Sequence, residues 1–181
     1  LDLRGNVGGL LIEAVKIVNM FVEKDLPVVI TKGRIKERTI VYKTKSTPVN
    51  LQIPLIVLIN GRSASASEIV AGALQDYDRA VIIGQKSFGK GLVQNVVSLS
   101  YKTSMKITTA KYYIPSGRCI QSVDYLDDTQ ENKNKEESGA LFKTQNGREV
   151  YDAGGIIPDI VVGENMSEKE LIIKLVKQNT E

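Results

Sequence analysis

The chain has no histidine and only one cysteine, Cys119. The first absence removes the usual general base of serine chemistry. The second excludes an internal disulfide framework and leaves the redox compartment open. No apolar run approaches the roughly 20 residues that a membrane-spanning helix needs. A basic stripe is lacking too: the 24 Lys and Arg residues are scattered and the net charge is only +3, which gives nucleic-acid binding little support. The sequence does not open on methionine. Leu1-Asp2-Leu3 reads as the end of a buried strand, so the chain is expected to be an N-terminally truncated part of a longer protein. The lack of a targeting segment then says nothing about location.

What is present suits a single globular domain. The 181 residues are 42% hydrophobic and 25% charged, enough for a substantial core. Gly5–Gly9 is a tight turn into Leu10–Val22, apolar almost all round and expected to be a buried helix. Val28–Thr31 and Arg38–Tyr42 flank Lys32-Gly33-Arg34 as a hairpin. Pro54–Ile59 is a continuous apolar run, as a central parallel strand should be. Ser67–Gln75 is a small-residue helix, and Arg79–Gly84 is the next strand. Leu92–Leu99 and Ser104–Tyr113 alternate as a second hairpin. Asp124–Ser138 holds six acidic residues and two lysines and reads as a solvated insertion loop. Leu141–Thr144 and Glu149–Tyr151 pair across an Asn146-Gly147 turn. The stretch from Gly154 to Val162 returns to a strand, and Ser167 with Glu170 caps a final amphipathic helix.

Chemistry concentrates between residues 60 and 94. A serine is a poor nucleophile unless a neighbouring base takes its proton, and without histidine a lysine is the main remaining choice. Ser65 stands in the small-residue run Ser63-Ala64-Ser65-Ala66-Ser67 between a strand and a helix. Lys90 stands in a glycine-flanked turn after the next strand. A serine at a helix N-terminus lies near free N–H groups and the positive end of the dipole, which stabilise an oxyanion. A glycine amide of Gly5–Gly9 is a candidate second donor. Ser63 and Ser67 are competitors of Ser65, and Ser65-Ala66-Ser67-Glu68 also fits a plain capping box. Gly84–Lys90 fits the opening of a phosphate-binding loop. The next residue, however, is Gly91 instead of Ser or Thr, and a strand follows in place of a helix. The acidic stretch shows no metal-like order of ligands.

Several ordered phrases together are similar to one family. Leu1–Gly9, Ser63–Ile69, Ala71–Asp76 and Phe88-Gly89-Lys90-Gly91-x-Val93-Gln94 resemble the C-terminal processing peptidases, also called tail-specific proteases. Lys111–Gly117 and Gly154–Val162 look like that family's later landmarks. The resemblance implies Ser65 as nucleophile, Lys90 as general base and Gln94 as the residue orienting the lysine. It also implies an oxyanion hole from the backbone N–H of Ala66 and of Gly8 or Gly9, with Glu68 and Asp76 as structural supports. Val7 stands where proline is common. The implied architecture is an α/β, crotonase-like core with a central parallel or mixed sheet, flanking helices and added β-hairpins. Residues 1–181 would be a partial catalytic domain, with the PDZ domain of the parent chain absent. The implied protein is exported, periplasmic or in the cell envelope of bacteria. It cuts proteins with exposed C-terminal tails and needs no cofactor or metal.

The chemistry implied is an acyl-enzyme mechanism. A base must be neutral to accept a proton, and burial among apolar side chains favours a neutral lysine. Phe88, Leu92 and Val93 are the candidates for that enclosure. Ser65 Oγ and Lys90 Nζ are expected to face each other at about 2.6–3.2 Å. The truncated chain is expected to fold yet cleave little. A non-catalytic binding or scaffold domain on the same fold is the alternative. An acyl-CoA enzyme with a similar oxyanion hole ranks behind both, since it would not need Lys90.

Overall fold

The computed structural model describes residues 1–34, 39–122, 139–152 and 154–163. The acidic stretch 124–138 and the helix expected from Ser167 lie outside the described residues.

A parallel sheet sits at the centre. Strand β3 (Ile56–Ile59) pairs in parallel with β4 (Val81–Gly84), and β4 in parallel with β9 (Ile160–Val161). Leu1–Leu3 extends this sheet beside β3, with Leu3 N–H on the Leu58 carbonyl and Leu58 N–H on the Leu1 carbonyl, both at 2.9 Å. Leu1-Asp2-Leu3 is thus strand-like, as its apolar pattern indicated. β9 is shorter than the expected strand over 154–162, and only its last residues join the sheet.

Helix α2 (Ala66–Asp76) connects β3 to β4, the crossover that parallel neighbours require. All its residues are buried, which its small side chains permit. Gly72 shows why: a Cβ there would come within 2.7 Å of both Ile114 Cδ1 and Ile156 Cδ1. Helix α1 (Leu11–Asn19) packs Ala14, Val15 and Val18 inward. It differs from the all-round burial expected, since Leu10, Ile12 and Met20 are exposed. An apolar side chain stays in water when no element of the described fold lies over that face.

A second, antiparallel sheet has the order β2-β1-β6-β5, with β1 (Pro27–Gly33), β2 (Ile40–Lys43), β5 (Leu92–Ser98) and β6 (Ser104–Tyr113). Both expected strand pairs are present, but Lys32 and Gly33, expected in the first turn, belong to β1 and pair with β6. β7 (Ala140–Lys143) and β8 (Glu149–Asp152) form the third, around the Asn-Gly turn. The core between the sheets and α2 is built from Val28, Val57, Ile69, Leu74, Ile82, Ile114 and Ile156.

Below α2 lies a buried ion pair. Arg118 is 2% exposed and donates to Gln75 Oε1 at 2.6 Å and Asp76 Oδ1 at 2.9 Å. Asp76 Oδ2 accepts the Ser116 N–H at 2.9 Å. Burial pushes the Asp76 carboxyl up, and Arg118 opposes that. Removing one partner strands the other charge in the interior. Arg118→Ala is therefore expected to cost about 3–5 kcal/mol, read as a lower midpoint in denaturant unfolding.

Candidate active site

Three loops leave the carboxyl ends of neighbouring parallel strands, where open α/β sheets gather their ligand-binding groups. Gly5–Gly9 follows Leu1–Leu3, the turn to Ser65 follows β3, and the turn to Lys90 follows β4. Hydrogen bonds fasten them together. Asn60 Oδ1 accepts the N–H of Gly5 at 2.9 Å and of Arg62 at 3.1 Å. Ala64 N–H reaches the Asn6 carbonyl at 3.0 Å, and Phe88 N–H reaches the Ser63 carbonyl at 3.0 Å.

The three serines differ in surroundings. Ser63 is buried and donates its hydroxyl to the Leu3 carbonyl at 2.7 Å. Ser67 is buried inside α2. Ser65 alone of the three is half-buried. It stands at the corner between the β3 turn and α2 with φ +58° and ψ −118°. That conformation strains a non-glycine residue by about 1–3 kcal/mol and recurs at functional sites. Gly8 passes so close that a Cβ there would lie 2.5 Å from the Ala64 carbonyl oxygen and 2.7 Å from Ala66 N. Only glycine fits, and its φ of +92° agrees.

The candidate oxyanion donors separate likewise. Gly8 N–H is committed to Asn6 Oδ1 at 2.9 Å. The N–H groups of Gly9 and Ala66 make no hydrogen bond among the described residues.

Glu68 holds the whole arrangement. It is fully buried. Its Oε2 accepts the N–H of Ser65 at 2.8 Å and of Lys90 at 2.9 Å. Its Oε1 accepts the Ser87 hydroxyl at 2.5 Å and the Gly89 N–H at 2.7 Å. Burial pushes the Glu68 carboxyl up, and these four donors pull against it. The Ser65–Glu68 bond is half of the capping box read in the sequence. The same carboxylate also anchors the Lys90 loop, which the motif did not reveal.

One oxygen atom thus brings the main chains of Ser65 and Lys90 together. Their side chains are not joined. Lys90 is exposed, and its ammonium makes no hydrogen bond among the described residues. Phe88 is 59% exposed, and Leu92 and Val93 are half-buried. Among the described residues the expected apolar enclosure is therefore not formed, because β5 is the edge of the described sheet with most of its side chains exposed. Lys90 instead lines a groove of about 1020 Å³ together with Gln94, and Ser65 does not line it. Gln94 follows a bulge between Val93 and Gln94 in the β5–β6 ladder, a device that re-aims side chains.

Tyr112 reaches both loops. It is 3% exposed, its hydroxyl donates to the Lys90 carbonyl, and it interacts with the Ser65 hydroxyl. Burial, then the charge of Glu68, push the phenol well above its ordinary value, so it stays a neutral donor. The sequence marked this residue only as part of a family landmark. The alternation along β6 was the available signal. Among the described residues, no group of three or more His, Cys, Asp or Glu side chains is placed to hold a metal ion.

Residues 1–130 match Peptidase family S41. The chain belongs to that family. A carboxy-terminal-processing protease of Bartonella bacilliformis is 48% identical over 128 residues, covering 71% of this chain and 29% of that protein. The chloroplastic C-terminal processing peptidase of Tetradesmus obliquus is 38% identical over 131 residues, covering 72% of this chain and 28% of its own length. Among solved structures, the photosystem II D1 C-terminal processing protease superposes with a TM-score of 0.68 at 29% identity, over 95% of this chain and 36% of that one. The S41 chain thus spans about a third or less of these curated relatives, and its α/β fold is like that of the superposed protease.

The Glu68 hub makes a pH-dependent prediction. In Glu68→Gln an amide N–H₂ faces two donors, at about 1–3 kcal/mol for each buried donor orphaned, so the unfolding midpoint falls. Because the folded Glu68 value lies above the ordinary 4.5, its contribution is full below that pH and declines as pH rises through the folded value. The stability gap between wild type and Glu68→Gln should narrow from about pH 4.5 upward, read by denaturant titration across that range.

Proposed function

We propose that the protein is a serine endopeptidase that cleaves polypeptides near their C-termini through an acyl-enzyme on Ser65. The observation carrying this is the strained Ser65 at the N-terminus of α2, beside the unbonded Ala66 N–H and the close-passing Gly8. Lys90, in its neutral form, turns from the groove to Ser65 and takes the hydroxyl proton as Oγ bonds to the scissile carbonyl carbon. The N–H groups of Ala66 and Gly9 hold the resulting oxyanion. Lys90 then passes the proton to the leaving amine as the peptide C–N bond breaks. Water, deprotonated by Lys90, attacks the ester, and the proton returns to Ser65 Oγ as the acid leaves. Gln94 orients the Lys90 amine, and Tyr112 holds the Ser65 hydroxyl in place.

The α/β core is read as crotonase-like. Substrates are proteins with exposed C-terminal tails, delivered by a PDZ domain of the parent chain. The site of action is outside the cytoplasm, in line with relatives that include bacterial and chloroplastic proteases. The alternative of a non-catalytic binding domain draws on one observation, that the Lys90 ammonium makes no hydrogen bond to Ser65.

Mutants of the full-length protein separate the two. Ser65→Ala, Lys90→Ala and Lys90→Arg should each reduce peptide hydrolysis to background with unchanged unfolding midpoints, arginine failing because it stays protonated. Gln94→Ala should retain partial activity. Turnover surviving in Lys90→Ala would require another base and defeat the mechanism. Tyr112→Phe keeps the ring and removes one hydrogen-bonding group. It should lower kcat about tenfold while KM stays unchanged, measured with a fluorogenic peptide.

A further inference from the structure

We propose that Asn6 is a positioning residue for the oxyanion hole: its side chain occupies the Gly8 N–H and so sets the Gly9 amide as the donor that works with Ala66. This rests on the peptidase reading above and adds to it a residue that touches no substrate.

Two adjacent amides in the first loop compete for the role, since glycine turns as readily one way as the other. Their surroundings separate them. Gly8 N–H donates to Asn6 Oδ1 at 2.9 Å, a turn in which an asparagine side chain holds the main chain two residues on. Gly9 N–H makes no hydrogen bond among the described residues. Gly9 is also exposed, and a Cβ there would meet nothing within 4 Å. A substrate carbonyl has room beside that amide.

Asn6 is itself fixed by its main chain. Its N–H donates to the Leu3 carbonyl at 3.1 Å, and its carbonyl accepts the Ala64 N–H at 3.0 Å. Leu3 belongs to the strand-like start of the sheet, and Ala64 to the turn that carries Ser65. One residue thus joins the sheet, the serine turn and the glycine loop. Gly8 is held from its other side as well. A Cβ on it would lie 2.7 Å from Ala66 N and 2.9 Å from Ser65 Cβ, so its Cα is wedged against the second donor. With the Gly8 amide bonded and its Cα wedged, rotation about the Gly8 Cα–C bond is what remains to aim the Gly9 N–H. Without the Asn6 oxygen, a glycine pair whose first member has φ +92° regains its freedom. Oxyanion donors act by being fixed before the charge develops, so that freedom lowers the rate.

Three variants of the full-length protein, assayed with a fluorogenic peptide, test this. Asn6→Ala removes the acceptor, and Asn6→Leu removes it while keeping bulk. Asn6→Ser keeps a neutral oxygen that accepts the same N–H more weakly. Asn6→Ala and Asn6→Leu should lower kcat about 10–100-fold, less than the loss of a whole donor. Their KM should stay within about twofold of wild type, and Asn6→Ser should recover most of kcat.

A second readout isolates the hole from the rest of the site. In a peptide aldehyde, Ser65 Oγ bonds to the carbonyl carbon, the hydroxyl proton passes to the carbonyl oxygen, and that oxygen occupies the hole. The matching peptide alcohol cannot form this bond. In Asn6→Ala the inhibition constant of the aldehyde should rise by the factor by which kcat/KM falls, while that of the alcohol stays unchanged. Equal weakening of both inhibitors would mean that Asn6 only shapes the loop, and overturns the proposal. So does wild-type kcat in Asn6→Ala and Asn6→Leu, or an Asn6→Ser protein no better than Asn6→Ala. A wild type that neither cleaves peptides nor binds the aldehyde more tightly than the alcohol overturns the peptidase reading itself, and the role of Asn6 falls with it.

Discussion

A buried carboxylate governs the architecture around Ser65. Glu68 lies on α2, yet its four hydrogen bonds reach two other segments: the turn that ends β3 and the loop that follows β4. A carboxyl group inside a protein is costly unless its oxygens are satisfied by hydrogen bonds. Here every donor comes from a segment that must meet the others for the site to exist. Ser87 carries the linkage one step further, because its hydroxyl oxygen accepts the Ile156 N–H at 2.6 Å and its own N–H reaches the Ile156 carbonyl at 3.0 Å. The approach to β9 is therefore tied to the same centre. The position of Lys90 relative to Ser65 is a backbone property, set before either side chain chooses a rotamer.

That bracing explains how Ser65 keeps an unfavourable conformation. A residue at φ +58° would relax if its neighbours were free to move. Its N–H is held by Glu68, and its Cβ is backed by Gly8. The preceding turn is pinned to Leu3 and Asn6 through Ser63 and Ala64. Strain of this kind persists only where the surroundings over-determine the local geometry. The outcome is a half-buried serine at a helix N-terminus, with the Ala66 amide unbonded beside it.

Much of the scaffold was legible because its signals are local. Apolar runs bounded by turn residues gave the strands around Ser65, alternation gave the β5–β6 hairpin, and Asn146-Gly147 gave the turn between β7 and β8. The exposed side of α1 was not legible. Leu10, Ile12 and Met20 are as apolar as the buried Val15 and Val18, so composition cannot tell which face is covered. Tyr112 depends on the register of β6 against β1 and on which sheet face meets α2, facts that no single strand carries. The buried Arg118 gave no warning either, because its partners Gln75 and Asp76 are distant in sequence and belong to a helix that reads as structural.

The exposure of Lys90 follows from the same limit and bears on how the site would work. Sequence spacing brings a lysine to the right loop, but its surroundings depend on what lies over β5. In the described fold that strand is an edge, with Val96 and Val97 in solvent. What Glu68 fixes is the main chain: its Oε2 accepts the N–H of both Ser65 and Lys90, so the two loops stay in register whichever way the Lys90 side chain turns. The distance between the two side chains is then a matter of rotamers and of what covers β5, and neither is written in the spacing of the sequence.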